Sequence, residues 1–223
     1  MTSPPALLYE TYYHIYNRGV NRENIFFEER NYEYFLKLYE KYIVPVVDTF
    51  GYCLLRNHFH LAVRVKSEEE IQTLRVLSSN GYITGPGDPT IRNPSQPGKP
   101  LESHYVSTQF SNFFNAYAKA INKAYNRTGS LFQHPFGRVP ITSDRQFWSV
   151  IAYIHQNPQK HGFVNDFREW KYSSYGVLLA GKHAFLDRDV VLDWFGGRDE
   201  YLNLHADWVS DAKSKWFARD DFD

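Results

Sequence analysis

With 223 residues, one cysteine and charge in balance, 25 Lys plus Arg against 25 Asp plus Glu, the chain is long enough to bury one substantial core. A lone thiol excludes a disulfide framework, and Cys53 in an apolar segment suits a reducing compartment. No apolar run approaches the roughly 20 residues a membrane-spanning helix needs, and residues 1–5 show no signal-peptide pattern, so a cytosolic protein with no membrane partner is expected.

The first predicted element is a strand over 12–17, where apolar and polar residues alternate. Over 29–43, Tyr32, Phe35, Leu36, Tyr39 and Tyr42 recur at helical spacing, with Glu29, Arg30, Lys37 and Lys41 mostly on the other side. Two strands follow, 46–55 and 58–65, joined by a tight turn at Arg56 and Asn57 and therefore antiparallel neighbours. Ser67 and the acidic run from Glu68 to Glu70 open a short helix. Residues 81–100 carry four Gly and five Pro and read as a loop insert. A second long helix spans 107–125, with Phe110, Phe113, Phe114, Tyr117 and Ile121 apolar. Residues 131–141 read as a last strand or hairpin. A further helix begins after Ser143 or Asp144 and carries the stripe Phe147, Val150, Ile151, Ile154, with Pro158 as its boundary. The tail beyond Asp187, with Trp194, Trp208 and Trp216, is expected to be helical. The order βαββαβ predicts an α+β domain of the ferredoxin-like split βαβ kind, with an antiparallel sheet. It would occupy 1–180, followed by an acidic helical extension over 181–223.

Two segments carry chemistry. In His58-Phe59-His60, strand alternation turns both imidazoles to one face, where they form a natural pair of ligands for a divalent cation. The same pair would also serve to cap a sheet by local hydrogen bonds. In the helix after Ser143, Tyr153 and Asn157 are four residues apart and share a face. A tyrosine hydroxyl is a potential nucleophile, and an amide oxygen is a hard ligand suited to Mg²⁺ or Mn²⁺. With 17 tyrosines in the chain, most are packing residues.

Taken together, these segments resemble the single-tyrosine HUH transposases, and most closely their domesticated branch, the REP-associated tyrosine transposases. The resemblance covers about residues 8–180. It rests on Tyr13-His14-Ile15-Tyr16-Asn17-Arg18-Gly19 as an opening strand and on the His-hydrophobe-His signature at 58–60. It continues in Arg127-Thr128-Gly129-Ser130-Leu131-Phe132-Gln133, similar to the family's RxGxLWQ turn, and in Tyr153-Ile154-His155-Gln156-Asn157-Pro158, followed by Trp170-Lys171-Tyr172-Ser173-Ser174-Tyr175. Phe132 stands where a tryptophan is usual, and the insert at 81–100 matches nothing in the pattern. The resemblance implies that His58, His60 and Asn157 hold Mg²⁺ or Mn²⁺ and that Tyr153 attacks a phosphodiester in single-stranded DNA. That attack would leave a 5′-phosphotyrosine and a free 3′-OH, and a second 3′-OH could reverse it to join strands. The implied substrate is a DNA hairpin with a short single-stranded guide, and Arg18 and Arg22 are candidate contacts to it. Helical spacing turns His155 away from Tyr153, so it is not assigned as a base.

Charge is unevenly placed. Residues 101–162 hold six Lys or Arg (Lys119, Lys123, Arg127, Arg138, Arg145, Lys160) against Glu102 and Asp144, whereas 187–223 hold ten Asp or Glu against five Lys or Arg. Lys119, Lys123, Arg127 and Arg138 are therefore candidate phosphate contacts, and Phe132 or Phe136 could stack on an unpaired base. Two other classes stay open: a catalytically silent transposase derivative that binds repeat hairpins, and a metal-dependent nuclease that uses water. Other single-tyrosine relatives act as dimers with the tyrosine helix exchanged. The extended C-terminal region favours the monomer with its tyrosine in cis, and a nucleoid-associated place in a prokaryotic cytosol is expected.

Overall fold

The computed structural model describes residues 6–79, 104–181 and 185–210, with backbone alone at 78–79 and 207–210. The predicted insert at 81–100 and Trp216 lie outside these residues. Four strands, β1 (Tyr12–Arg18), β2 (Val47–Leu55), β3 (His58–Val65) and β4 (Gly137–Ile141), form one sheet in the order β2-β3-β1-β4. Every neighbouring pair is antiparallel, which is the order and sense of the ferredoxin-like split βαβ fold. Residues 131–136 are not strand; that stretch joins the sheet only through a single bridge between Gly19 and Phe132.

The alternation along β3 divides the molecule into layers. Phe59 faces α1 (Glu29–Tyr42) and α3 (Tyr105–Ala124), packing against Phe35 and Phe114. These two helices cross the same face of the sheet and bury Phe35, Tyr39, Phe113 and Tyr117 between them. His58 and His60 face the other way, toward α4 (Asp144–Lys160), whose Tyr153 ring lies beside His60. A helix α2 (Glu68–Ser79) follows β3, its first turn fixed by reciprocal bonds between Ser67 and Glu70.

α4 seats closely on β2. Gly51 makes room for it, since a Cβ there would stand 3.0 Å from the Ile151 side chain. Ser143 caps the helix by accepting from the Gln146 N–H, as the sequence predicts. Pro158 does not bound it. The helix runs through Pro158 to Lys160, the proline removing one backbone donor, that to the Ile154 carbonyl, without ending the helix. The stop is Gly162 at φ +71°: its N–H reaches the Gln159 carbonyl, and the Phe163 N–H reaches the Pro158 carbonyl at 2.8 Å.

The described part of the C-terminal extension packs into the same core. Beyond α5 (Ser174–Ala180), Leu186 bridges to Thr49 of β2. α6 (Arg188–Trp194) brings the Trp194 ring against Tyr12, Phe50 and Phe147. α7 (Arg198–Ser210) then lies along α4, joined to it by a bond between two buried imidazoles, His155 Nδ1 and His205 Nε2, at 2.8 Å.

Candidate active site beneath the tyrosine helix

The β1–β3 register builds the floor of the site. Tyr16 pairs with His60 and Arg18 with His58, so His14, Tyr16, His58 and His60 project from two adjacent strands toward α4. The His58 and His60 rings meet at right angles, 5.2 Å between centroids. The Tyr153 ring stands edge-on to His60 at 5.5 Å and to His14 at 5.9 Å. Lys160, two turns along the helix, places its Nζ 5.0 Å from the centre of the Tyr153 ring. The next residue, His161, sets its ring 4.9 Å from that of His58. Gly137 on β4 is part of the floor: a Cβ there would fall 1.9 Å from the Tyr16 ring, so glycine is what leaves room for Tyr16 beside the imidazoles.

The four residues singled out for chemistry come together from elements far apart in sequence. All are buried: His58 and His60 on β3, Tyr153 and Asn157 one turn apart on α4. Two atoms in this set lack the partners that burial ordinarily demands. Both His60 Nε2 and Asn157 Oδ1 are buried with no hydrogen-bond partner, a state that costs about 1–3 kcal/mol per group. Such orphans in a native fold mark a strain reservoir, a catalytic role or a missing ion.

Their other atoms explain why these two remain. Asn157 Nδ2 donates to the Tyr153 carbonyl at 3.0 Å, which aims Oδ1 away from the helix backbone. His58 Nδ1 lies 2.7 Å from Asn57 Oδ1. An amide oxygen only accepts, so Nδ1 carries a proton, and in the neutral ring the lone pair is on Nε2. Burial, with His14, His58, His161 and Lys160 around it, holds the His60 pKa well below the ordinary imidazole value. It is therefore neutral at physiological pH, the form in which imidazole ligates metals.

This donor set fits a hard or borderline divalent cation: two neutral imidazole nitrogens and one amide oxygen, with no charged ligand. Among the described residues, no group of three or more His, Cys, Asp or Glu is arranged to hold a metal ion. The amide is therefore needed to complete a three-ligand set.

The candidate phosphate contacts scatter. Arg18 ends β1 opposite His58, and Arg22 is exposed in the single 3-10 turn that follows, 20–22. Lys119 and Lys123 are exposed on α3, in the layer on the far side of the sheet from Tyr153. Arg127 forms an ion pair with Glu23 at 2.6 Å. Arg138 is half-buried over the Phe136 ring at 3.9 Å, where desolvation lowers its pKa. Phe132 and Leu131 are core residues, packed in the α1–α3 layer.

Sequence reading missed His14. It lies in a recognisable strand, two residues from Tyr16 and on the same face, and that alternation was the available signal. The missing piece was the register that brings its Nε2 within 2.9 Å of His60 Nδ1. As the spacing argument required, His155 points elsewhere, to Ser174 and His205.

No protein-family model matches the chain. A curated protein of Haemophilus influenzae (strain Rd), named "Putative REP-associated tyrosine transposase", is 24% identical over 131 residues. That alignment takes in 57% of this chain and 58% of the relative, so the chain spans little more than half the length of the protein it matches. A solved structure of a REP-associated tyrosine transposase bound to a REP hairpin superposes with a TM-score of 0.54. The superposition covers 81% of this chain and 86% of that one at 12% identity, a likeness of fold. The motif resemblance, the curated relative and the fold all lead to one group: the chain is similar to the REP-associated tyrosine transposases.

Proposed function

We propose that the protein is a metal-dependent tyrosine transposase that cuts and rejoins single-stranded DNA beside a hairpin. One observation carries the reading. Tyr153 is buried edge-on to His60 and one turn from Asn157, and among the described residues His60 Nε2 and Asn157 Oδ1 are buried polar atoms that nothing satisfies. The relative's name and the hairpin-bound state of the structural neighbour support the same substrate class.

The chain's own groups divide the work. His58 Nε2, His60 Nε2 and Asn157 Oδ1 would hold Mg²⁺ or Mn²⁺. When bound, such an ion supplies Lewis-acid polarisation of the scissile phosphate. Tyr153 Oη gives up its proton to solvent and attacks phosphorus in line, the Oη–P bond forms, the P–O3′ bond breaks, and the departing 3′ oxygen takes a proton from solvent, so protons balance over the step. The product is a phosphodiester to tyrosine, which keeps the energy of the broken linkage, so a second 3′-OH can reverse the step without ATP. α4 holds nucleophile and amide ligand one turn apart on one rigid element, and its burial against β2 limits their motion relative to the imidazoles.

The test is denaturing electrophoresis after incubation with end-labelled single-stranded hairpin DNA and Mn²⁺. A protein–DNA adduct that survives denaturation is expected, and it should vanish in Tyr153→Phe, which loses only a hydroxyl. Cleavage without any adduct would indicate a water-using nuclease. Hairpin binding with neither cleavage nor adduct would indicate a silent DNA-binding derivative. Either result overturns the proposal.

A further inference from the structure

The imidazole of His60 is not held by the backbone. Its Nδ1 lies 2.9 Å from Nε2 of His14, a second buried histidine on the neighbouring strand, and the two rings are stacked at 5.1 Å. His14 in turn touches Tyr16 and the edge of Tyr153, at 5.0 and 5.9 Å between ring centroids. It therefore sits against both the candidate ligand and the candidate nucleophile.

The bond between the two rings has two possible directions, with opposite consequences. If His14 Nε2 donates, the His60 proton is placed on Nε2, and that nitrogen becomes a buried N–H with no acceptor. If His60 Nδ1 donates, His60 Nε2 carries a lone pair, buried and without a donor, as Asn157 Oδ1 is. The second direction yields a ligand-ready nitrogen, and it leaves no buried N–H unpaired at that position.

Resting on the metal-dependent reading above, we infer that His14 is a positioning residue. It accepts from His60 Nδ1, fixes the ring's tautomer and orientation, and thereby sets the affinity of the site for its divalent ion. Outer partners of this kind typically change metal affinity by about 10–100-fold when removed. The role belongs to His14 because its neighbours on that face of β1 cannot fill it. The hydrogen bond of His60 Nδ1 goes to His14, whereas Tyr16 meets His60 as a tilted ring contact and Tyr12 faces Phe50, Phe147 and Trp194.

Two measurements on the full chain test this. Long-range ¹⁵N imidazole NMR of the metal-free protein reports the His60 tautomer, assigned by comparison with His60→Gln. The Nδ1–H form is expected, and the Nε2–H form would overturn the inference whatever the metal does. Mn²⁺ titration by electron paramagnetic resonance then compares wild type with His14→Leu and His14→Gln. Affinity is expected to fall about 10–100-fold in His14→Leu and largely to recover in His14→Gln, whose side-chain oxygen can accept from His60. A Leu variant that binds like wild type overturns the role of His14 alone. A wild-type protein that binds no Mn²⁺ overturns the metal-dependent reading and this one with it. If the Leu variant does not fold, the wild-type tautomer and the Gln titration still decide the question.

Discussion

As a proposed metal ligand, Asn157 would serve function through a single buried atom at the expense of stability. Its Oδ1 is sealed from solvent and unpaired, while its Nδ2 is tied to the preceding turn at 3.0 Å. A leucine, which shares the branching at Cγ with a somewhat larger bulk, would remove the orphan oxygen along with that one bond, and these terms roughly cancel. Asn157→Leu is therefore expected to change the unfolding free energy of the metal-free protein by no more than about 1 kcal/mol. It should weaken Mn²⁺ binding by at least about tenfold, the lower bound seen even for outer-sphere changes. Chemical denaturation alongside metal titration checks both halves. A large loss of stability with unchanged metal binding would make Asn157 a structural residue.

α4 depends on a second polar chain, separate from the site and on the opposite side of the helix from Tyr153. His205 Nδ1 lies 2.7 Å from the Tyr201 carbonyl, which only accepts, so His205 Nε2 is the acceptor for His155 Nδ1. His155 Nε2 then accepts from the Ser174 hydroxyl at 2.7 Å, and Ser174 Oγ accepts the Tyr52 N–H of β2 at 2.8 Å. The chain of bonds runs in one direction from sheet to α7 and requires both imidazoles to be neutral. Burial lowers both pKa values, that of His205 to about 4 despite its bond to the Tyr201 carbonyl, and the neighbouring His205 further opposes a charge on His155. In the unfolded chain these histidines titrate near 6.5. The unfolded state therefore binds more protons between those limits, and stability falls as pH drops. The melting temperature is expected to hold above pH 6.5 and to decline progressively toward pH 4. In His205→Gln, which cannot take a proton, the decline should be shallower, and equal slopes would exclude the pair as its source.

For the molecule as a whole, the layers decide where the proposed DNA substrate could lie. Tyr153 and the imidazoles are on the α4 side of the sheet, as α4 packs over His58 and His60, whereas Lys119 and Lys123 are exposed on α3, beyond the opposite face. Arg18 and Arg22, at the end of β1 beside His58, are the candidate cations next to the site. The salt dependence of hairpin binding should therefore lose about one unit of log–log slope in Arg22→Ala. It should stay unchanged in the double variant Lys119→Ala, Lys123→Ala. Fluorescence anisotropy across a salt series separates the cases. A shallower slope in the lysine variant would mean that the hairpin also engages the α3 face.

Much of this architecture was legible in one dimension because it rests on local periodicity. The alternation at 58–65 gave a strand with two imidazoles on one face, the stripe from Phe147 to Ile154 gave the tyrosine helix, and a four-residue spacing put Asn157 beside Tyr153. The order βαββαβ was enough for the sheet topology. Contacts between elements were not legible, because they depend on register and layer. Only pairing β1 against β3 brings His14 to His60, and only the stacking of layers separates Lys119 and Lys123 from the pocket. Pro158 misled for a related reason: a proline's cost depends on where in the helix its missing N–H falls, and the turn that closes at Gly162 absorbs it. Sequence named candidate groups for the proposed chemistry, through side-chain type, spacing and the family resemblance. Tertiary packing decided which buried atoms went without partners, since burial is a property of neighbours that the chain brings together only on folding.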